Sequence, residues 1–401
     1  MPEAVIVATG RTPIGRANKG SLVECRPDDL SALVIKTVLE KVPQLSPSDV
    51  EDVLLGCGQP AGEAGYNIAR VAAILAGLEN VPGVTVNRYC SSSLQTIRMA
   101  AHAIRAGEGD VFIAAGVETV SRYMNGASDV GPHNVAFAAA EERTKARTPE
   151  VTEPWTPPAG LPDVYIAMGQ TAENVAEYEN VTRTEMDEFA VLSQSRAVAS
   201  QENGFFEREI IPVTLADGTV ISKDDGPRAG TTLEGLANLK PVFRQGGTIT
   251  AGNACPLNDG AAAVIVMSDS KAKSLGIEPL ARIVASGVTG LNPEIMGLGP
   301  VDACRQVLAR AHMTMDDIDL VEINEAFAAQ VIPSAKHLGI SWDKLNVKGG
   351  AIALGHPFGQ TGARIMTTLL NALEDTGKTY GLESMCVGGG QGMAMIVERL
   401  S

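Results

Sequence analysis

Ile6-Val7-Ala8-Thr9-Gly10, near one end of the chain, returns scarcely altered as Ile283-Val284-Ala285-Ser286-Gly287. The likeness continues downstream. After the first copy come Val38-Leu39 in a helical pattern, then Ser48-Asp49-Val50-Glu51-Asp52-Val53-Leu54-Leu55. After the second come Val307-Leu308, then Asp316-Asp317-Ile318-Asp319-Leu320-Val321-Glu322-Ile323. Each copy reads as strand, helix, acidic helix start and buried strand. Short apolar strands alternating with amphipathic helices predict βαβ units on a mixed or parallel sheet. A half of that kind cannot hide its own sheet, so two of them bury helices against one another. The expected fold class is therefore α/β, built from two duplicated halves.

Between the copies the chain changes character. Lys145 to Val164 holds Pro149, Pro154, Pro157, Pro158 and Pro162, a density that excludes regular helix or central strand. A long polar helix is expected from about Thr171 to Asn203, with Val175, Phe189 and Leu192 at its apolar positions. Asp217 to Arg228 is rich in turn residues. Residues 122–245 read as an insertion into the first half. That half comprises 1–121 with 246–274, including the apolar strand Ala261 to Met267, and the second half is 275–401. Insertions of this length commonly carry substrate-binding groups.

Charge and composition exclude several functions. The 401 residues include 32 Lys plus Arg against 47 Asp plus Glu, a net charge of −15. Nucleic-acid binding needs the opposite balance or a concentrated basic stripe. Aromatics at 4% leave few platforms for base stacking. No apolar run approaches the ~18 residues of a membrane span, and Ala4 to Ala8, between Glu3 and Arg11, does not read as a signal peptide. A reducing, cytoplasmic setting is expected. Cysteines 25, 57, 90, 255, 304 and 386 form no Cys-x-x-Cys pair, so no metal site is expected. A cysteine with a special role would be a nucleophile or an acid.

Four stretches carry chemistry. In Asn87-Arg88-Tyr89-Cys90-Ser91-Ser92-Ser93-Leu94-Gln95, the strand Val84 to Val86 runs into a helix marked by Leu94, Ile97, Ala101 and Ile104. A thiol at a helix start sees the positive end of the peptide dipoles, which favours thiolate, and free N–H groups that can hold an oxyanion. The plainer reading is a small residue closing a tight turn. In the stretch from Gly349 to Gly362, glycines 349, 350, 355, 359 and 362 crowd His356 at a second helix start. Imidazole is the natural base for a thiol, and a helix-capping histidine is the alternative. Cys386-Val387-Gly388-Gly389-Gly390-Gln391-Gly392 lacks the spacing and the downstream length of a dinucleotide loop, and instead sets a thiol beside free backbone donors. Asn324-Glu325-Ala326-Phe327 follows the strand Leu320 to Ile323, where α/β active sites lie. That asparagine can hold a water, polarise an oxygen, or cap a helix. Cys304 shares a helical face with Val301 and Leu308 and reads as core, while His102, His133, His312 and His337 suggest no role.

Together, and in this order, the four stretches resemble the thiolase family (acetyl-CoA acyltransferases) over essentially the whole chain. The resemblance implies a five-layered αβαβα core of two duplicated halves, with an inserted loop domain that binds coenzyme A. It implies acyl-CoA substrates, assembly as a homodimer or homotetramer, other β-oxidation enzymes as partners, and no permanently bound cofactor, since coenzyme A comes and goes as substrate. By position, Cys90 takes the acyl group with His356 as its base, and Cys386 moves the proton on and off the α-carbon. His356 and a water held by Asn324 form one oxyanion hole, and the N–H groups of Cys90 and Gly388 form the other. Arg228 matches a loop-domain arginine near the nucleotide end of CoA, and Met168-Gly169 a pantetheine-side motif. Cys255-Pro256 stands where the family often has Ser-Gly or Ser-Ser, also near the pantetheine. Ser93 replaces the family's usual glycine and is expected to narrow the pocket beside Cys90. Ala167 stands where short-chain biosynthetic thiolases commonly carry His, which tilts the expectation toward degradative cleavage of 3-ketoacyl-CoA. The alternatives are a biosynthetic acetoacetyl-CoA thiolase, a ketoacyl synthase of the same superfold, which lacks the second catalytic cysteine, and a non-catalytic acyl-CoA-binding subunit, which has no use for all four stretches.

Overall fold

The computed structural model describes residues 2–147 and 153–401, so Pro149 of the proline-rich stretch lies outside the described residues. Both copies of the repeat fold as strand, helix, turn and strand. In the first, β1 (Ala4–Arg11) and α1 (Pro27–Glu40) lead to β2 (Asp52–Gly56), then β3 (Gly83–Val86), α2 (Ser92–Ala106) and β4 (Val111–Thr119). The intervening region contributes α3 (Met168–Glu179) and α4 (Arg183–Glu202), after which β5 (Asn258–Ser268) completes the first sheet. The second copy runs β6 (Ala281–Gly290), α5 (Gly299–Ala311), β7 (Leu320–Ile323), α6 (Ala328–Leu338), α7 (Thr361–Thr376), β8 (Tyr380–Val387) and β9 (Gln391–Arg399). Even the acidic turns match: Asp49 accepts the Ser46 N–H at 3.1 Å, and Asp317 accepts the Thr314 N–H at 2.7 Å.

The strand order is β3-β2-β4-β5-β1 in one half and β6-β9-β8-β7 in the other. The strands of the two halves pair at β1 and β6, through the antiparallel pairs Val5–Arg282 and Ile6–Ala281. Parallel pairs join β2 to β3 and β4, and β7 to β8, while β4 and β1 flank β5 antiparallel. The sheet is mixed, as expected.

Alternation along the strands builds the layers, because successive side chains point to opposite faces. Phe112, Ala114, Val264 and Val266 from the first half, and Met385, Val387, Met393 and Met395 from the second, enclose Leu94 and Ile97 of α2 with Ile365 and Leu369 of α7. Residues of the other parity, such as Val111, Ile113 and Ile265, pack on Val34, Ile35 and Val38 of α1. Leu382, Ala394 and Ile396 likewise pack with Val307 of α5 and Val331 of α6. Helices thus lie outside both sheets and between them, giving the αβαβα order.

One helix expected from Thr171 to Asn203 is in fact two. Asn180 turns left-handed at φ 55°, and Thr182 and Glu185 exchange side-chain and backbone hydrogen bonds at the start of α4. That reciprocal cap satisfies helix-start donors and opens a new helix inside one run of polar periodicity. The region as a whole is pinned to β1. Arg11, fully buried, donates to Asp224 at 2.7 and 2.9 Å and to Glu209 at 2.7 Å.

Candidate active site

Cys90 sits in the tight turn Tyr89–Ser91 between β3 and α2. Tyr89 takes φ 44°, an uncommon conformation for a bulky residue, and its N–H is held by Asn87 Oδ1 at 2.8 Å. The helix start is there, but the thiolate it was expected to favour is not. Burial pushes the Cys90 thiol up to about 11, while the N–H groups of Gly388 and of Cys90 itself pull the other way. Loss of water around the sulfur outweighs a few oriented dipoles, so the resting group is a thiol that needs a base.

His356 lies between the short turn Ala351–Leu354 and α7, and is buried. Its N–H donates to Asn258 Oδ1 at 3.0 Å, and Gly355, at φ 114°, leaves no room for a Cβ beside that amide. Nδ1 is 2.7 Å from Thr361 Oγ1, which donates its own proton to Pro357 O at 2.8 Å. Nδ1 therefore carries the ring proton and Nε2 keeps its lone pair. Burial, with help from Arg364, pulls His356 down to about 3, so the ring is a neutral acceptor at physiological pH.

Asn324 does not cap a helix, since α6 begins beyond Phe327. Its backbone N–H donates to Ser384 O on β8 at 2.9 Å, and its Nδ2 lies 3.3 Å from His356 Nε2. The buried Asn324 Oδ1 has no hydrogen-bond partner among the described residues. Such an oxygen suits a water shared with a ligand. Cys386, two residues beyond Ser384, is completely buried, and burial and the nearness of Cys90 and Cys255 push its thiol up. Just after it, Gly389 and Gly390 turn at φ 76° and 83°, which brings the Gly388 N–H to Cys90. The Gly388 turn lies against the turn of Cys90, for a Cβ on Gly388 would stand 3.4 Å from Tyr89 Cγ.

The family model for the thiolase N-terminal domain matches residues 4–270, and that for the thiolase C-terminal domain matches residues 277–399. The chain belongs to the thiolase family. It is 45% identical to a β-ketoadipyl-CoA thiolase of Acinetobacter baylyi and 44% identical to a 3-ketoacyl-CoA thiolase of Vibrio cholerae, with both chains of each pair covered in full. Among solved structures, the acetyl-CoA acetyltransferase of Bacillus anthracis superposes with a TM-score of 0.86 at 39% identity, over 100% of this chain and 99% of that one.

Around this thiolase centre the remaining predicted residues fall unevenly. The Cys255 N–H donates to Ala326 O at 3.0 Å, and Cys255 and Met168 pack against the core that includes Phe327 and Cys386. Arg228 is exposed, its backbone N–H held by Gln194 Oε1 at 2.9 Å, and its guanidinium forms no ion pair among the described residues. The loop that carries it nevertheless abuts the approach to His356, because a Cβ on Gly226 would lie 2.1 Å from Ala353 O. Ser93 is buried against α7. Its Oγ accepts the Ala363 N–H at 2.9 Å, supplying the first turn of α7 with an acceptor it lacks internally. Glu325, to which the sequence suggested no role, is buried and accepts from Ser193 Oγ at 2.6 Å, Asn346 Nδ2 at 2.9 Å and the Ile352 N–H at 3.1 Å. It ties Asn324 to α4 and to the turn before His356. The residue was in plain view in the motif; its partners, distant along the chain, were not. Among the described residues, no helix is long and apolar enough to cross a membrane.

Proposed function

We propose that this thiolase cleaves 3-ketoacyl-CoA with CoA, reversibly, to acetyl-CoA and a shortened acyl-CoA, and that its working direction is degradative. The observation that carries the mechanism is the convergence of two buried thiols, Cys90 and Cys386, with the Gly388 N–H on the first of them. Cys90 gives its proton to His356 Nε2 and attacks the ketone carbon. The oxyanion that forms is held by the N–H groups of Cys90 and Gly388. Cleavage of the carbon–carbon bond then expels the enolate of acetyl-CoA, which survives only if donors await it. His356, now protonated, and a water on Asn324 supply them, and removing one such donor typically costs about 10²–10³ in rate. Cys386 protonates the enolate carbon. Its raised thiol suits that task, because it keeps its proton until a strong carbon base takes it. CoA then gives its thiol proton to the Cys386 thiolate and attacks acyl-Cys90, and the released Cys90 sulfur recovers its proton from His356. Exchange between thioesters is nearly isoenergetic, so the route runs both ways.

Residues 122–245 form the CoA-binding domain in this proposal, between core halves 1–121 with 246–274 and 275–401. Arg228 takes the nucleotide end, and Met168 and Cys255 line the pantetheine. The protein acts as a homodimer or homotetramer in the cytoplasm. Ala167 and the relatives named for 3-ketoacyl and β-ketoadipyl substrates support the degradative direction. The test is CoA-dependent loss of absorbance from acetoacetyl-CoA and from longer 3-ketoacyl-CoA. Cys90→Ala is expected to abolish it. In Cys386→Ala, acetyl-CoA still acylates Cys90 while condensation collapses; an equal loss of both steps would remove the second thiol from its role.

A further inference from the structure

Both halves bring chemistry to the ends of a parallel strand pair. Gly56 of β2 stands opposite Gly116 of β4, and Ile323 of β7 stands opposite Ser384 of β8. Just beyond these pairs lie Cys57 and Glu118 in the first half, and Asn324 and Cys386 in the second.

Glu118 is 1% exposed, and donors surround it. Oε2 accepts the N–H groups of Gly58 at 2.8 Å and Gly359 at 2.9 Å. Oε1 accepts the Gln59 N–H at 3.2 Å, the Tyr123 hydroxyl at 2.8 Å and the Cys57 thiol at 3.7 Å. Gly359 belongs to the loop that carries His356, from the second half, whereas Glu118 belongs to the half that carries Cys90. The contact leaves no slack. A Cβ on Gly116 would lie 1.9 Å from Gly359 O, and one on Gly359 would lie 2.1 Å from Val117 O. The exchange is reciprocal: the second half's strand-end turn sends the Gly388 N–H to Cys90, and the first half's strand-end carboxylate receives the His356 loop.

We infer that Glu118 is a positioning residue that sets the His356 loop, and with it Nε2, against Cys90. The inference rests on His356 being the base for Cys90. Three backbone N–H groups can be met only by an acceptor, so an amide in place of the carboxylate turns a donor toward one of them. Position and charge make opposite predictions. The negative charge of Glu118 opposes a Cys90 thiolate, so removing charge alone would ease ionisation. Loss of position would instead take the base away.

Alkylation of Cys90 by iodoacetamide, followed by mass spectrometry across pH, separates the two without any CoA substrate. In Glu118→Gln, labelling of Cys90 near neutral pH is expected to fall by about tenfold or more, as part of a general-base contribution of about 10²–10⁴ is lost. It recovers at high pH, where the thiol ionises unaided. Thiolysis kcat is expected to fall by about 10²-fold, with KM for CoA within about twofold, as a small misplacement of a reacting group can do. Tyr123→Phe, which removes one donor from the same carboxylate and leaves both glycine turns intact, should slow labelling by about two- to threefold. Unchanged or faster labelling near neutral pH in folded Glu118→Gln overturns the inference, and if that variant does not fold, unchanged labelling in Tyr123→Phe does so. Failure of the wild type to turn over any 3-ketoacyl-CoA would end the proposed function yet leave this result standing. Labelling indifferent to His356→Ala would instead remove the base and this inference with it.

Discussion

Glu322 and Glu383 stand directly opposite one another on β7 and β8, both buried, and the charge of Arg364 of α7 acts on both. Burial raises both carboxyls, Glu322 from an ordinary 4.5 to about 8, while Arg364 pulls the other way. Guanidinium charge from Arg364, and from Arg196 on Glu322, does not offset the desolvation of two carboxylates, so protons are held more tightly in the folded chain than in the unfolded one. The stability this contributes is complete below 4.5 and is lost as pH rises through about 8. Glu322→Gln should therefore narrow the fall in urea midpoint between about pH 5 and about pH 8 relative to wild type. Equal falls in both proteins would assign the pH dependence to other groups. Both carboxyls were visible in sequence as acids within apolar strands. Their pairing was not, since register between strands so far apart is set only by the fold.

At the scale of elements, the β4–loop contact decides where the imidazole stands. Gly116→Ala drives a methyl into Gly359 O, and is expected to cost about 1–3 kcal/mol by overpacking and to depress thiolysis beyond what the stability loss explains. Gly107→Ala is the control. Gly107 closes α2 at φ 77° with open space around it, so its substitution should cost about 1 kcal/mol through backbone strain and leave kcat unchanged. Equal activity losses per unit of stability would place no special demand on Gly116. Most strands and helices were legible from period and punctuation, and the exception is instructive. Thr182-Arg183-Thr184-Glu185 is a capping signature, but polar periodicity on both sides of Asn180 masked the break. Ser93 shows the converse, a departure legible in sequence whose hydroxyl accepts from the first turn of α7.

Across the whole molecule, the intervening region is held to the first half by ions that see no water. Arg11→Ala strands Glu209 and Asp224 as uncompensated buried charges, and is expected to cost about 3–5 kcal/mol in denaturant unfolding. Because Asp224 begins the loop that leads to Arg228, KM for CoA should rise while acylation of Cys90 by saturating acetyl-CoA persists. An unchanged midpoint would show that Arg11 does not anchor the region.

The sequence by itself determined the duplication, the alternation that makes layers, and the four chemical stretches, because these are local patterns or repeats of them. It could not determine which half supplies what to the other. Gly388 meets Cys90, and Glu118 meets Gly359, only after the two halves have closed on a shared pair of helices. The charge state of the nucleophile was likewise out of reach: a helix start is written in the chain, but the water that packing removes from Cys90 is not, and that removal outweighs the dipoles.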